Sequence, residues 1–462
     1  MRRTLSRGNS IAGLALTVAV LSSGCGGGGG GGAAPPAPAT AAGSWSGSWV
    51  SANGVGGDAL YLSIKQSGAN LSGPIFFDRS PCLSAGTFSA ILSGNSFNGV
   101  VTAASTHANV TLDAIVANGQ LNGTYNVTAA DWCAGEHGSF SLSSGARFVP
   151  PPNPLYVRSS GNDGNSGANP ADALRSISTA VQLARTGYVI VVGSGTYSES
   201  VVIDTAGVAG LQLVADLAGD RTGDAAGDVA IDGTDSDAGA GFDFSTVPGG
   251  LIDGFTISGV SGAGIIIDSG SDAFAVQNCM IFDNTADGIR VQDSANALVF
   301  NNLVYGNGGA GIAIAGQRSG SPAARVLSNT IAGNGTYGLV VGDTNAGSPR
   351  AFVHNNIVQG NSGEANINVL QSPRSDVGYD GNYNLVFPDT YLPASLRGRN
   401  DVSDNAQFAD GFHLRSTSPA IDGGGPLNLP SSQTTILRRR TTTGTTLDSG
   451  VFDLGFHFLR NR

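Results

Sequence analysis

The sequence almost lacks lysine: Lys65 is the only one in 462 residues. Chemistry that depends on a lysine amine as a base therefore has no candidate after position 65. Charge of either sign is scarce, at 12% of residues, and it is mostly acidic, with a formal net charge of -11. That balance excludes a nucleic-acid partner, because phosphate binding needs positive charge. An anionic polymer would need a bridging cation. Good helix formers are also few. Glycine, with 70 residues, leads Asn, Ser, Thr and Val, a composition of turns and short strands. There are four cysteines, and none has metal-ligand spacing.

The N-terminus carries an address. Arg2, Arg3 and Arg7 precede a short apolar stretch, Ile11 to Leu21, and then Ser22-Ser23-Gly24-Cys25. The apolar run is too short to span a bilayer, so residues 1–24 read as a signal peptide. Its loss would take the net charge to -14. The Gly24-Cys25 end resembles a bacterial lipobox, with Ser22 where that motif has leucine; the competing reading is an ordinary signal peptide cut nearby. The resemblance implies that Cys25 is lipidated. It also implies outer-membrane residence, facing either the periplasm or the surface, because no aspartate follows Cys25. Residues 25–42, seven glycines and then a stretch with Pro35, Pro36 and Pro38, form a tether that cannot pack a core. The expected link to the membrane is this lipid anchor alone.

Residues 43–147 read as a small antiparallel β domain. Gly68-Ala69-Asn70, Gly94-Asn95-Ser96 and Gly119-Gln120 interrupt alternating runs such as Leu60-Tyr61-Leu62-Ser63-Ile64. Alternation around a Gly/Asn turn is a hairpin signature. The opening Gly43-Ser44-Trp45-Ser46-Gly47-Ser48-Trp49 resembles the first strand of small lipocalin-like barrels. A barrel of this size is expected to be filled by its own side chains. Cys82 and Cys133 fall in this segment, and an oxidising compartment would let them form a disulfide. Residues 148–154 are a proline linker.

Residues 155–462 are repetitive. Asn278, Asn302, Asn329 and Asn356 recur at 24- and 27-residue spacing, and Asn284, Asn307, Asn334 and Asn361 form a second column. Gly264-Ile265, Gly288-Ile289, Gly311-Ile312 and Gly338-Leu339 form a third. Three columns per period fit a three-sided coil in which Asn supplies left-handed turns and bonds to its copies above and below. Leucine spacing within each period is wrong for a leucine-rich repeat. On this alignment Cys279 occupies the place of Leu303, Thr330 and Ile357 as a small buried hydrophobe. His354 aligns with Val276, Phe300 and Leu327 as an inward, structural residue.

Ahead of the coils come Leu155-Tyr156-Val157, the loop Gly161-Asn162-Asp163-Gly164, and a helical stretch near Ser176 to Arg185. Strand Tyr188 to Val192 and Gly195-Thr196-Tyr197-Ser198-Glu199 follow. This order resembles the entry of the pectate-lyase-like β-helix superfamily. Its closing segment is resembled by His413-Leu414, Ser418-Pro419-Ala420-Ile421-Asp422-Gly423 and Asp453-Leu454-Gly455-Phe456-His457. Asp422, Asp453 and His457 are expected to cap the open end of the stack. The expected fold is therefore all-β: a right-handed parallel β-helix solenoid preceded by a small antiparallel β-barrel-like domain.

That resemblance implies polysaccharide as the ligand class. Many members cleave acidic glycans by β-elimination, with Ca2+ on the sugar carboxylate and Lys or Arg as base. Arg290 is the candidate base here, flanked by Asp287 and Asp293, with Asp268 one coil earlier. Its place between Ile289 and Val291 points it outward. The competing reading is a solvated surface ion pair. Arg318, Arg325 and Arg350 rank behind it. Asp216, Asp220, Asp224 and Asp228 recur every four residues and are candidate Ca2+ ligands, against a hydrated acidic loop. The Asp-Pro-His-Asp motif of β-helix alginate epimerases is absent. The leading expectation is an envelope lipoprotein that binds polysaccharide or partner surfaces. The alternatives are a polysaccharide lyase or hydrolase and a structural or adhesive spacer. Oligomeric state is left open.

Overall fold

The computed structural model describes residues 40–52, 59–77, 85–103, 109–128, 136–145, 153–204, 207–234, 239–293, 295–315, 321–342, 347–370, 377–443 and 447–458. Cys25, Cys82, Cys133 and Arg318 lie outside these residues, and so does the expected disulfide. No described helix is long and apolar enough to cross a membrane.

Eight strands, from Gly43–Ser51 to His137–Ser144, close an antiparallel barrel. The first strand pairs with both Ala59–Ser67 and His137–Ser144, which leaves no free edge. Period-two alternation sends Leu60, Leu62 and Ile64 inward and Lys65 outward. The interior is filled, as expected for its size: Trp49 packs edge-on against Phe77 and Tyr125 at 5.8 and 5.9 Å. The tight turns differ in chemistry. Asn118 and Gly119 both have positive φ, whereas Gly68 leads its turn with a positive φ alone.

The solenoid has three parallel sheets. The first runs from Leu155–Val157 to Gly378–Asn382, the second from Gly195–Tyr197 to Leu385–Phe387, and the third from Val201–Ile203 to Tyr391–Leu392. Inward residues stack in columns. Val276, Val299, Val326 and Val353 line one side, Ile281, Val304, Ile331 and Val358 the next, and Ile289, Ile312, Leu339 and Ile367 the third. All are fully buried, and each contributes roughly 1.5–3 kcal/mol against conformational entropy.

The asparagine columns are hydrogen-bonded ladders, with one shift of register. Asn302, Asn329, Asn356 and Asn384 form the first. From Asn329 on, each amide oxygen accepts from the backbone and side chain of the Asn one coil earlier, as Asn329 does from Asn302 at 2.8 and 3.0 Å. Cys279, not Asn278, heads this column, because its N–H donates to Asn302 Oδ1. Met280 rather than Cys279 therefore aligns with Leu303, Thr330 and Ile357. Cys279 is fully buried, and burial pushes its thiol up to about 12, which suits a packing role. Left-handed backbone falls on the preceding residues, Asn278, Asn301, Ser328 and Asn355. Turning and bonding, expected of one residue, are divided between two neighbours.

The second ladder, Asn284 to Asn361, explains the glycine column. A Cβ on Gly311 would lie 2.7 Å from Asn334 Nδ2 and 2.4 Å from Ile331 Cγ2. Gly288 and Gly338 meet Asn307 and Asn361 in the same way. The ladder and the glycines thus form one device.

The N-terminal cap uses the residues that carried the family resemblance. Helix α1 (Ile177–Leu183) is capped by Ser176, whose side chain accepts from Thr179 N. Glu199 accepts from the N–H groups of Ile177 and Ser178 at 2.7 and 2.9 Å. Asp163 accepts from Arg175 N and Ser176 N. At the other end Asp401 terminates the first ladder, accepting from Asn384 N at 2.8 Å. The tail does something different from the end cap expected of it. It runs back along the flank of the stack: Gly425 bonds to Asn355, Phe456 to Thr330, and His457 to Asn301. Asp453 accepts from Asp422 N, and Asp448 holds the fully buried His457 at 3.1 Å. Helix α2 (Ser431–Leu437) lays Ile436 and Leu437 over Phe300 and Leu327 on the outer face of the first sheet.

Candidate functional site

Arg290 points outward from the third sheet between buried Ile289 and Val291, as expected. Its Nε and Nη2 donate to Asp287 Oδ2 at 2.8 and 2.5 Å. Asp287 also accepts from Ala310 N on the next coil, so it fixes a turn. Asp268 accepts from Gln292 Nε2 and Ser269 N. Asp293 is buried at a left-handed turn. Arg290 and Asp287 are thus brought together as an ion pair, and Asp268 is tied to a glutamine.

A carboxyl that sequence reasoning passed over lies nearby. Asp243 faces outward between inward Phe242 and Phe244. Its Oδ1 is buried without a hydrogen-bond donor among the described residues. Burial first, then the charges of Asp268 and Asp204, raise its pKa above the usual carboxylate range. The signal was one acid alternating with two aromatics in a short strand.

The acidic run does not converge. Asp216 is buried and accepts from Arg221 N, Thr222 N and Thr222 Oγ1, which hold its pKa low against the opposing effect of burial. Asp224 pairs with Arg158, whose Nε donates at 2.8 Å, and so ties the run to the N-terminal cap. Asp220 is exposed, and the Asp228 carbonyl accepts from Gly195 N. Among the described residues no group of three or more carboxylate, histidine or cysteine side chains is arranged to hold a metal ion.

A groove of about 380 Å³ does open on the outer face of the first sheet. It crosses four strands, Asn296–Phe300, Ala323–Leu327, Arg350–His354 and Gly378–Asn382. Arg325, Arg350, Phe352 and Asp380 line it, with Tyr379 and Asn296 at its margins. Strand alternation supplies these side chains: Val326 and Val353 go inward, so Arg325 and Phe352 go outward in register. The Arg325 guanidinium lies over the Phe352 ring, 5.8 Å from its centroid. Arg350 extends across Gly378, where a Cβ would meet Nη1 at 2.7 Å.

His354 belongs to this outer face, contrary to the inward place expected for it. Gln277, Phe300 and Leu327 share its column, and Val353 takes the inward slot. Phe300 and Leu327 are buried only because α2 covers them, so hydrophobicity there marked the tail, not the solenoid core. The His354 ring stacks on Phe352 at 3.9 Å, with Nε2 3.7 Å from Asp380 Oδ1. Burial lowers its pKa, against the pull of Asp380. His354 and Arg325 thus pack on Phe352, and Arg325, Arg350 and Asp380 share the groove lining with it. Such a set can bind sugar carboxylates and hydroxyls.

Residues 234–378 match the family model described as right handed beta helix region. No curated protein sequence matches the chain. A pectate lyase structure aligns over 66% of this chain and 97% of its own, at 14% identity and a TM-score of 0.38. A rhamnogalacturonan lyase aligns over 61% and 98%, at 13% identity and 0.32. The catalytic unit of an α-1,3-glucanase from Streptomyces thermodiastaticus aligns over 75% and 60%, at 14% identity and 0.31. The chain is a right-handed β-helix repeat protein with an eight-stranded barrel ahead of its solenoid.

Proposed function

We propose that the solenoid binds acidic polysaccharide in the Arg325–Arg350 groove. One observation carries this reading. In a chain of net charge -11, two arginines and an aromatic ring line a single groove across four strands. Parallel coils space such side chains roughly 4.8 Å apart, a ladder suited to an extended polymer. Guanidinium forks match uronate carboxylates, and an aromatic ring meets the apolar face of a sugar. Isothermal titration with polygalacturonate and alginate tests it. Arg325→Ala with Arg350→Ala should abolish binding that the wild-type protein shows. Unchanged binding by the double variant would rule the groove out.

The reading extends to location. We place the protein at the outer membrane, anchored through lipidated Cys25, with the residues 25–42 as tether. Palmitate labelling of cells should mark the wild-type protein and not Cys25→Ala.

A second reading, a glycan hydrolase, has one observation in its favour. Asp243 holds its proton more tightly than an ordinary aspartate, and a second carboxyl, Asp268, lies one coil on. A carboxyl that keeps its proton can serve as the general acid of glycoside hydrolysis. Release of reducing sugar that disappears in Asp243→Asn would favour it.

A further inference from the structure

A second cavity, of about 290 Å³, opens where strands Gln212–Ala215, Leu251–Asp253 and Phe274–Gln277 end. Asp216, Asp253, Asn278 and Arg439 supply its polar lining, with Leu217 as an apolar wall. Arg439 comes from the tail, two residues after α2. Its side chain is half-buried and makes no hydrogen bond or ion pair among the described residues. Asp253 attracts it, but both Asp253 oxygens already accept amide donors, from Gln277 at 3.0 Å and from Asn278 at 2.7 Å. Each of those oxygens keeps a free lone pair.

Arg439 lines the cavity with donors that no protein acceptor among the described residues uses, beside the Asp253 carboxylate, so a ligand with hydroxyl groups can take the place of water there. Which ligand fits follows from charge. An oxyanion would face Asp216 and Asp253, and a cation would face Arg439. A neutral polyol meets both requirements, because every hydroxyl donates and accepts. It can donate to Asp253 and accept from Arg439 at the same time. The volume is near the lower bound of ligand pockets, about 300 Å³, which suits one sugar ring rather than a chain.

We infer that the Asp253–Asn278–Arg439 cavity is a subsite for a neutral hexose, with the C-terminal tail contributing its guanidinium. The inference rests on the solenoid being a glycan-binding surface but not on the Arg325–Arg350 groove. The sugar's vicinal hydroxyls would bridge Asp253 and Arg439, and its apolar face would lie toward Leu217.

The full-length protein can be screened on an array of neutral and uronate hexose oligomers, followed by calorimetry on the neutral oligomers that bind. Arg439→Gln and Asp253→Asn should each weaken neutral-sugar binding by roughly tenfold, the loss of about one charge-assisted hydrogen bond. Arg325→Ala should leave it unchanged. The inference fails if no neutral sugar binds, if both variants bind like wild type, or if Arg325→Ala loses neutral and acidic binding together. Should either variant unfold, deuterium exchange on the wild-type protein decides: the neutral sugar should protect residues 216–222 and 436–440, and no protection there overturns the subsite. Loss of acidic-glycan binding alone would count against the groove and leave this site standing.

Discussion

Replacing Asn329 by alanine probes the device that makes the solenoid. Its amide oxygen accepts from the N–H and side chain of Asn302, at 2.8 and 3.0 Å. Its amide nitrogen donates to Val299 O, Leu327 O and Asn356 Oδ1, at 2.9, 3.0 and 3.0 Å. Alanine deletes all five bonds at a site with no solvent exposure. At about 1 kcal/mol net each, the bonds account for about 5 kcal/mol. The carbonyls keep other partners along the coils, so the expected loss is about 3–5 kcal/mol. Urea unfolding followed by far-ultraviolet circular dichroism would measure it. Stability in solenoids passes between neighbouring repeats, so exchange of the Asn302 amide should quicken as well. Asn329→Asp should do at least as much harm at neutral pH. Its second carboxylate oxygen would face two carbonyls and Asn356 Oδ1 without donating to any of them. A loss below about 1 kcal/mol, with the Asn302 amide still protected, would refute the claim that the ladder holds the coils together.

Asp243→Asn should raise the melting temperature at pH 7 and leave it unchanged near pH 3. The folded pKa of Asp243 lies above its unfolded value, so stability falls as pH rises through that window. A melting temperature that gains equally at both pH values would contradict the assignment. Arg290→Ala should cost about 1.5–3 kcal/mol in chemical denaturation, because it strips a charge-assisted partner from the buried Asp287. Purified protein with calcium and polygalacturonate should give no unsaturated product; its appearance, abolished by Arg290→Ala, would restore the lyase reading. His457→Ala should destabilise the tail by about 1–3 kcal/mol, because it empties a fully buried site and removes one hydrogen bond from Asp448, which keeps that of Asp453 N. Proteolysis of residues 426–458 on the folded protein would report that loosening. Non-reducing mass spectrometry after alkylation should leave Cys82 and Cys133 unlabelled if they pair.

Much of the architecture was legible because the solenoid repeats its own constraints. Asn284, Asn307, Asn334 and Asn361 fall on one ladder because each must reach the next along the axis. Gly264, Gly288, Gly311 and Gly338 recur because that ladder leaves no room for a side chain. The alternation of Ile289, Arg290 and Val291 set the direction of Arg290 correctly. The register at the first Asn column was misread by one residue, since Asn278 and Asn302 look alike in sequence yet occupy neighbouring positions in their turns. The groove was the least legible part. Arg325, Arg350 and Asp380 are separated by tens of residues and share no motif; only pairing three coils in register sets them side by side.

The sequence by itself determined the class of fold and the direction of most side chains, because strand alternation and coil-to-coil stacking are local or periodic rules. Tertiary structure alone decided what the outward residues meet. Phe300, Leu327 and His354 occupy one outer column, yet the tail buries the first two under α2 and leaves the third beside a groove. Arg439 lies 186 residues from Asp253 along the chain and becomes its neighbour only because the tail runs back along the stack. No periodicity specifies where a non-repeating strap will lie; its apolar side chains settle against whichever outward columns best exclude water.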